Sequence, residues 1–397
     1  MKSLFKYSAI AAAMLLAQQA SAVDIVITGS TAFRSATHSG IANMMTGETV
    51  AHSHATALNS ANQSTFKGTI AGISGTVYVY CSWSGSATGV IAVANSTPVS
   101  VITAAQVDAL TSGTTNAAIS PSSTMVPRMA FSDVYKESTT AASAALTDSR
   151  PAVIPFRFVK NRGSSASLTN VTAQQVRSLW NNNSVPLGLF TGNIADTSKV
   201  IGLGRDNGSG TRITVLAETK YGIGNLVQQW KTTTTGTAGS TGVVTKAQIW
   251  GVGDGVGSTT GGNGGYTSGS FIAAAMGCTS NGVELYEENG TSLIDTVDVT
   301  MLAWLGLGDT NVATGTGATA LPYEGVNYTA DAVYNGSYTL WGYLHLYYPT
   351  LTTDENTFRT GLNTQLANAS VLGSNGLVFS NMQCARTSDG GIVAADY

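Results

Sequence analysis

Charged side chains are scarce in this sequence. Lys, Arg, Asp and Glu together make up 10% of the 397 residues, whereas soluble domains average about 25%. The formal net charge is −3, and the basic residues form no cluster along the chain. Because binding to a nucleic-acid backbone needs clustered Lys and Arg, we expect no nucleic-acid partner. Apolar residues still reach 43%, which is enough to bury a sizeable core.

Long apolar runs and cysteines are also rare. Beyond the N-terminus, no segment has the roughly 18 uninterrupted apolar residues of a membrane-spanning helix, so we expect no membrane anchor. The three cysteines, Cys81, Cys278 and Cys384, fit no metal-site spacing. They are compatible with one disulfide and a leftover thiol, or with three buried small side chains. We predict neither a metal site nor a cofactor.

The first 22 residues are typical of a signal peptide. Lys2 and Lys6 precede an apolar stretch at residues 9–16, and small residues at 20–22 form a cleavage site. We therefore predict cleavage near Ala22 and a mature protein in the periplasm or outside the cell.

Strand and helix patterns alternate along the rest of the chain. Apolar segments at 23–28, 152–159 and 199–204 predict strands, and the first of them leads through a Gly-Ser-Thr turn into a predicted helix over 31–45. Thr172 with Gln175 is a capping box that predicts another helix. This alternation favours an α/β fold.

Residues 204–215, GRDNGSGTRITV, follow a predicted strand and open a predicted helix. The first N–H groups of a helix have no partner within it, and its dipole favours an anion there. The planar guanidinium of Arg205 can donate to two anion oxygens, and the hydroxyls of Ser209 and Thr211 can donate as well. The segment lacks the lysine of a Walker loop, the glycine spacing of a dinucleotide fingerprint and the glycine of a nucleophile elbow. An ordinary polar turn capped by Ser209 remains the alternative.

Three further strand ends carry small polar groups. Residues 29–31 and 84–86 are turns rich in hydroxyls, and Asp133 ends a short apolar strand. Ligands of open α/β sheets bind at the carboxyl ends of strands. We therefore predict a site for a tetrahedral oxyanion. Because Asp133 accepts a hydrogen bond from a protonated oxygen, the site should favour hydrogen phosphate over sulfate.

The segment RDNGSGT resembles the R-x-D-G-S-G-T signature of periplasmic phosphate-binding proteins of the ABC phosphate importer. The order of the preceding turns is similar too, and the resemblance covers most of residues 23–275. It implies a two-lobed, hinged α/β fold of the type 2 periplasmic-binding-protein class, in which each lobe is a mixed sheet flanked by helices. One lobe would comprise residues 23–150 with 280–397, and the other residues 151–279.

The resemblance also implies a set of phosphate-binding residues. These are Thr31, Ala32, Ser86, Asp133, Arg205, Ser209, Gly210 and Thr211. Ser84 is an alternative register for Ser86. Asn207 stands where the signature has an acid, and residues 46–72 look like an insertion relative to the family.

The function implied is that of a monomeric binding protein, with no catalytic residues, that captures inorganic phosphate or a related oxyanion for an ABC permease. An alternative is a secreted structural or adhesive envelope protein that reuses the fold with an idle cleft. A phosphate-releasing hydrolase is disfavoured because no histidine lies near Ser209 or Asp133 in the sequence.

Overall fold

The computed structural model describes residues 22–253 and 260–395. Residues 1–21, which hold most of the predicted signal peptide, lie outside the described residues. The strands are β1 (Val23–Gly29), β2 (Met45–His52), β3 (Gln63–Ile70), β4 (Val77–Trp83), β5 (Val99–Val101), β6 (Thr115–Asn116), β7 (Ser123–Met125), β8 (Met129–Ser132), β9 (Thr147–Lys160), β10 (Ser184–Pro186), β11 (Lys199–Leu203), β12 (Trp230–Thr235), β13 (Val243–Ile249), β14 (Val283–Tyr286), β15 (Leu293–Val297), β16 (Val299–Gly306), β17 (Thr319–Leu321), β18 (Trp341–Tyr348), β19 (Leu377–Val378), β20 (Cys384–Ala385) and β21 (Ala394–Ala395).

Helices connect most of these strands. They are α1 (Arg34–Met44), α2 (Ser86–Ala94), α3 (Ala104–Asp108), α4 (Ala173–Asn181), α5 (Gly188–Thr191), α6 (Gly210–Glu218), α7 (Gly269–Met276), α8 (Leu307–Gly315), α9 (Ala330–Tyr334), α10 (Thr353–Leu366) and α11 (Ala369–Leu372), with short 3₁₀ turns at Leu58–Ser60, Lys136–Ser138 and Phe379–Asn381. The predicted α/β class is confirmed. No described helix is long and apolar enough to cross a membrane.

A large mixed sheet organises the molecule. Its strand order is β10-β11-β16-β9-β18-β8-β1-β4-β3-β2-β6, and β17 and β19 also pair with β9. On one side, β1 runs parallel to both β4 and β8. On the other side, β11 runs parallel to β16. The residues that looked like an insertion form most of β2 and β3, which extend the sheet beyond β4.

Strand β9 joins these two sides. Its residues 147–155 pair antiparallel with β18, and its residues 156–160 pair antiparallel with β16. Because β18 is in turn antiparallel to β8, strands β8 and β16 approach the middle of β9 from opposite directions. The carboxyl ends of both parallel sets therefore face the same zone, and ligands of α/β sheets bind at such ends.

The division into two lobes at residues 150 and 280 remains a prediction. Strand pairing connects the residues that follow position 280 to strands β11 and β13. Strand β14 pairs with β13, β15 pairs with β14, and β16 pairs with β11. Residues 283–306 thus extend sheets built by residues 199–249.

The core contains many aromatic side chains. The ring of Trp180 meets the ring of Trp304 edge-on at 5.1 Å, which joins α4 to β16. The capping box predicted at Thr172 is present, with the Thr172 hydroxyl accepting from the Gln175 N–H. His345 is buried and stacks on Tyr347 at 5.3 Å.

The cysteines form no disulfide. Cys81 and Cys278 are buried free thiols, and the Cys384 Sγ donates to the Val333 carbonyl at 3.6 Å. The disulfide alternative is therefore wrong, and the cysteines act as small core side chains. Burial raises the pKa of the Cys81 thiol to about 12, with a hydrogen bond from Ser64 opposing the shift.

Candidate functional site

Asp133 is the centre of the candidate site. It follows β8, is 2% exposed, and lies beside the turns that follow β1 and β4. Its Oδ1 accepts a hydrogen bond of 2.5 Å from the Ser30 hydroxyl, and its N–H donates to Ser86 Oγ at 3.1 Å. The parallel pairing of the three strands thus brings three separate strand ends to one carboxylate.

The Asp133 carboxyl is electrostatically perturbed. Burial raises its pKa from 3.8 to about 6, while hydrogen bonds from Ser30 and Ser86 and the charge of Arg205 oppose the rise. The negative charge of Asp309 adds to the rise. A carboxyl in this state can accept a hydrogen bond from a protonated ligand oxygen near neutral pH.

The N-terminus of α6 closes over Asp133. A Cβ placed on Gly210 would lie 2.4 Å from Ser86 Oγ and 2.8 Å from Asp133 Cβ. The Ala87 N–H donates to the Gly208 carbonyl at 3.1 Å. The RDNGSGT turn and the start of α2 are therefore in direct contact, and glycine at 210 permits this approach.

Ser209 is the N-cap residue of α6, but its side chain makes no capping hydrogen bond. The residue is 1% exposed, and its buried Oγ has no partner in the described part of the chain. Leaving a buried hydroxyl unpaired costs about 1–3 kcal/mol. The interpretation of this motif as a turn capped by Ser209 is therefore wrong, and the hydroxyl remains available to a ligand.

Arg205 is oriented by a neighbouring loop. The residue is 3% exposed, and its guanidinium donates from Nε to Tyr266 O at 2.9 Å and from Nη2 to Thr267 O at 2.8 Å. Within the described residues, its Nη1 has no hydrogen-bond partner, and the side chain forms no ion pair with Asp133. One donor of a buried cation is therefore left for an anion.

Two charged residues that sequence reasoning missed also face this zone. Arg34 opens α1 and is 5% exposed, and Asp309 lies in the first turn of α8, directly after β16. Burial lowers the pKa of Arg34 to about 10; Asp309 opposes this shift and Arg205 adds to it. Burial raises the pKa of Asp309, against the charges of Arg205 and Arg34.

The predicted positions Thr31 and Ala32 directly follow Ser30 in the turn after β1. Thr31 and Ala32 line a cavity of about 240 Å³ together with Arg34 and Asp309. The Ala32 N–H donates to Ser30 Oγ at 3.2 Å. Ser84, the alternative to Ser86, instead contacts the Thr28 hydroxyl at 3.3 Å.

Thr211, in the first turn of α6, is 3% exposed. The sequence analysis assigned Thr31 to the site and not the preceding Ser30. A turn rich in hydroxyls after β1 does not by itself indicate which hydroxyl faces Asp133. Asp309 follows β16 as Asp133 follows β8, but the sequence analysis did not predict β16. Within residues 22–253 and 260–395, no group of three His, Cys, Asp or Glu side chains is placed to hold a metal ion.

Known protein families and curated proteins give no match to this sequence. Solved structures do show likeness. A putative phosphate ABC transporter substrate-binding protein with bound phosphate from Clostridium perfringens is 11% identical, with a TM-score of 0.47 and coverage of 89% of this chain and 98% of that one. An ABC-type phosphate transport receptor from Vibrio cholerae is 13% identical, with a TM-score of 0.45 and coverage of 89% and 99%.

A third solved structure is a high affinity periplasmic phosphate-binding protein, PfluDING, bound with phosphate. It is 13% identical, with a TM-score of 0.46 and coverage of 90% of each chain.

Proposed function

We propose that this protein captures inorganic phosphate, or a related tetrahedral oxyanion, in a cleft between two hinged lobes. In this proposal it works outside the cytoplasm, delivers the anion to an ABC permease, acts as a monomer and catalyses no reaction. Phosphate binds through the predicted residues Thr31, Ala32, Ser86, Asp133, Arg205, Ser209, Gly210 and Thr211, to which Ser30 is added.

One observation carries the proposal. Arg205 and Asp133 are buried charges of opposite sign in the same zone, and within the described chain they form no ion pair with each other. Burying such charges unpaired is costly. A hydrogen phosphate ion would satisfy both, because its anionic oxygens accept from Arg205 and its protonated oxygen donates to Asp133.

The start of α6 supports the same anion. The unpaired Ser209 hydroxyl, the Thr211 hydroxyl and the first N–H groups of the helix would complete the donors for its oxygens. Sulfate at neutral pH has no proton to offer Asp133, so it would leave that acceptor unpaired.

Isothermal titration calorimetry with phosphate and with sulfate tests the proposal. We expect heat of binding with phosphate and weaker binding of sulfate. Arg205→Ala should weaken phosphate binding by about 1.5–3 kcal/mol, the cost of losing a hydrogen bond from a charged donor. Binding of neither anion by the wild-type protein would refute the function. Unchanged affinity in Arg205→Ala would refute the role of Arg205.

A further inference from the structure

We propose that Arg34 is a second arginine for the bound anion, and that Asp309 is its counter-charge when the cleft is empty. This inference rests on the proposed function, since it adds two residues to the same site. It starts from the partners of Arg34. The guanidinium donates from Nε to Asn59 O at 2.8 Å and from Nη1 to Asn62 Oδ1 at 3.0 Å.

Both partners of Arg34 are neutral oxygens. Within the described residues, Arg34 has no carboxylate in ion-pair contact, and its Nη2 has no hydrogen-bond partner. Arg205 has the same arrangement, with two carbonyl partners and one unused nitrogen. Each arginine is thus held by two bonds in a fixed orientation, with one terminal nitrogen left over.

Arg34 and Asp309 line one cavity, and Asp309 packs against Gly269, two residues after the Thr267 carbonyl that holds Arg205. Burial lowers the pKa of Arg34 most, the charge of Asp309 raises it, and the charge of Arg205 lowers it further. Two buried cations without ion pairs are costly in a low-dielectric interior. An oxyanion that accepts from both unused nitrogens removes this cost, and planar guanidinium groups suit oxyanion geometry.

The position of Arg34 is set by the segment between β2 and β3. Asn59 lies in the 3₁₀ turn Leu58–Ser60, and Asn62 immediately precedes β3. This is the region that looked like an insertion in the sequence. The segment between β2 and β3 therefore supplies the two oxygens that hold the Arg34 guanidinium in place.

Asp309 provides negative charge in the cavity that Arg34 also lines. Its carboxylate packs against Gly269 at the start of α7, where a Cβ would lie 2.0 Å from Asp309 Oδ2. Within the described residues it accepts no hydrogen bond and forms no ion pair, yet the charges of Arg205 and Arg34 both act on its pKa. It thus neutralises the arginines in the empty cleft and repels any anion that binds between them.

The first test compares Arg34→Gln with Arg162→Gln by titration calorimetry with inorganic phosphate. Arg162 is a matched control because its guanidinium, like that of Arg34, donates to two oxygens of neutral groups, here from Nε and Nη2 to the carbonyls of Gly277 and Gly242. We expect Arg34→Gln to weaken phosphate binding at least about tenfold, and Arg162→Gln to leave it unchanged. Arg34→Lys keeps the positive charge but loses the planar guanidinium. Its phosphate affinity should lie between those of Arg34→Gln and the wild type.

Thermal unfolding separates a binding role from a structural one. If Arg34 only holds the β2–β3 hairpin, Arg34→Gln lowers the Tm of the anion-free protein but keeps the wild-type affinity for phosphate. That result would overturn the inference. If the wild-type protein itself binds no phosphate, the proposed function fails first, so the two failures are distinguishable.

The second test uses Asp309→Asn with sulfate, measured by competition against phosphate. Removing the negative charge should raise the affinity for sulfate several-fold, because sulfate is repelled by Asp309 and offers it no proton. An affinity for sulfate equal to that of the wild type would overturn the role of Asp309. The effect is opposite in sign to that of Arg34→Gln, so general damage to the cleft does not mimic it.

Discussion

Gly210 and Ser86 meet where the start of α6 closes onto the start of α2. A Cβ on Gly210 would lie 2.4 Å from Ser86 Oγ, closer than any real Cβ contact allows. Both residues belong to the predicted anion site, and the absence of a side chain at Gly210 is what lets the two helix starts meet.

Gly210→Ala should therefore weaken phosphate binding by at least about tenfold, since the added methyl group separates two groups that close around the anion. Titration calorimetry measures this directly. Gly315→Ala is the control, because nothing lies within 4 Å of a Cβ at Gly315. Wild-type affinity in Gly210→Ala would show that the two helix starts do not have to meet.

Asp133→Asn should change which anion is preferred. The carboxylate accepts from a protonated oxygen, whereas the amide of Asn also donates to an unprotonated one. Phosphate binding should weaken by about 1.5–3 kcal/mol and sulfate binding should strengthen. Calorimetry with both anions measures the ratio. Asp295→Asn, which removes a carboxylate paired with Lys199 at 2.9 Å, should leave the ratio unchanged.

Ser209→Ala should separate affinity from stability. Its buried hydroxyl has no partner in the described chain, so deleting it should leave the Tm of the anion-free protein unchanged or raise it. Phosphate affinity should fall. Thr172→Ala gives the opposite pattern, because this hydroxyl does cap α4, and its loss should cost about 1 kcal/mol of stability without affecting affinity. Equal Tm losses in both variants would contradict the assignment.

Asp389 should make the anion-free protein less stable as pH rises. Its Oδ2 accepts from the Tyr135 N–H at 3.0 Å and from the Ser138 hydroxyl at 2.6 Å. Burial raises its pKa from 3.8 to about 7, against hydrogen bonds from Ser138 and Tyr135 and the charge of Arg386. The folded state therefore binds more protons than the unfolded state between these two values.

It follows that the contribution of Asp389 is fully present below its unfolded pKa and is lost as pH rises through about 7. The free energy of unfolding should fall by up to about 4 kcal/mol over this window, since one pKa unit corresponds to about 1.4 kcal/mol. Denaturant titration at several pH values, without phosphate, measures it. Asp389→Asn cannot ionise, so its pH profile should be flatter; an equally steep profile would assign the loss to other carboxyls, such as Asp133.

Local patterns in the sequence were sufficient for many elements of the fold. The apolar segment at 23–28 and the capping box at Thr172 correspond to β1 and α4, because strand periodicity and helix capping depend on neighbouring residues. The helix predicted from residue 31 begins only at Arg34, since the residues before it form the turn that carries Ser30 to Asp133. Strand β16 was not predicted, because periodicity alone does not distinguish a continuously apolar run from a buried helix segment.

The sequence by itself determined the residue types at the strand ends: hydroxyls after β1 and β4, Asp133 after β8, and Arg205 with Ser209 before α6. Only the tertiary structure decided that Ser30 faces Asp133 and that Arg34 and Asp309 share the zone of Arg205. These residues are far apart in the chain, and they meet because β9 pairs with strands that reach its middle from opposite directions. Such long-range pairing leaves no trace in local periodicity, which is why it could not be read from the sequence.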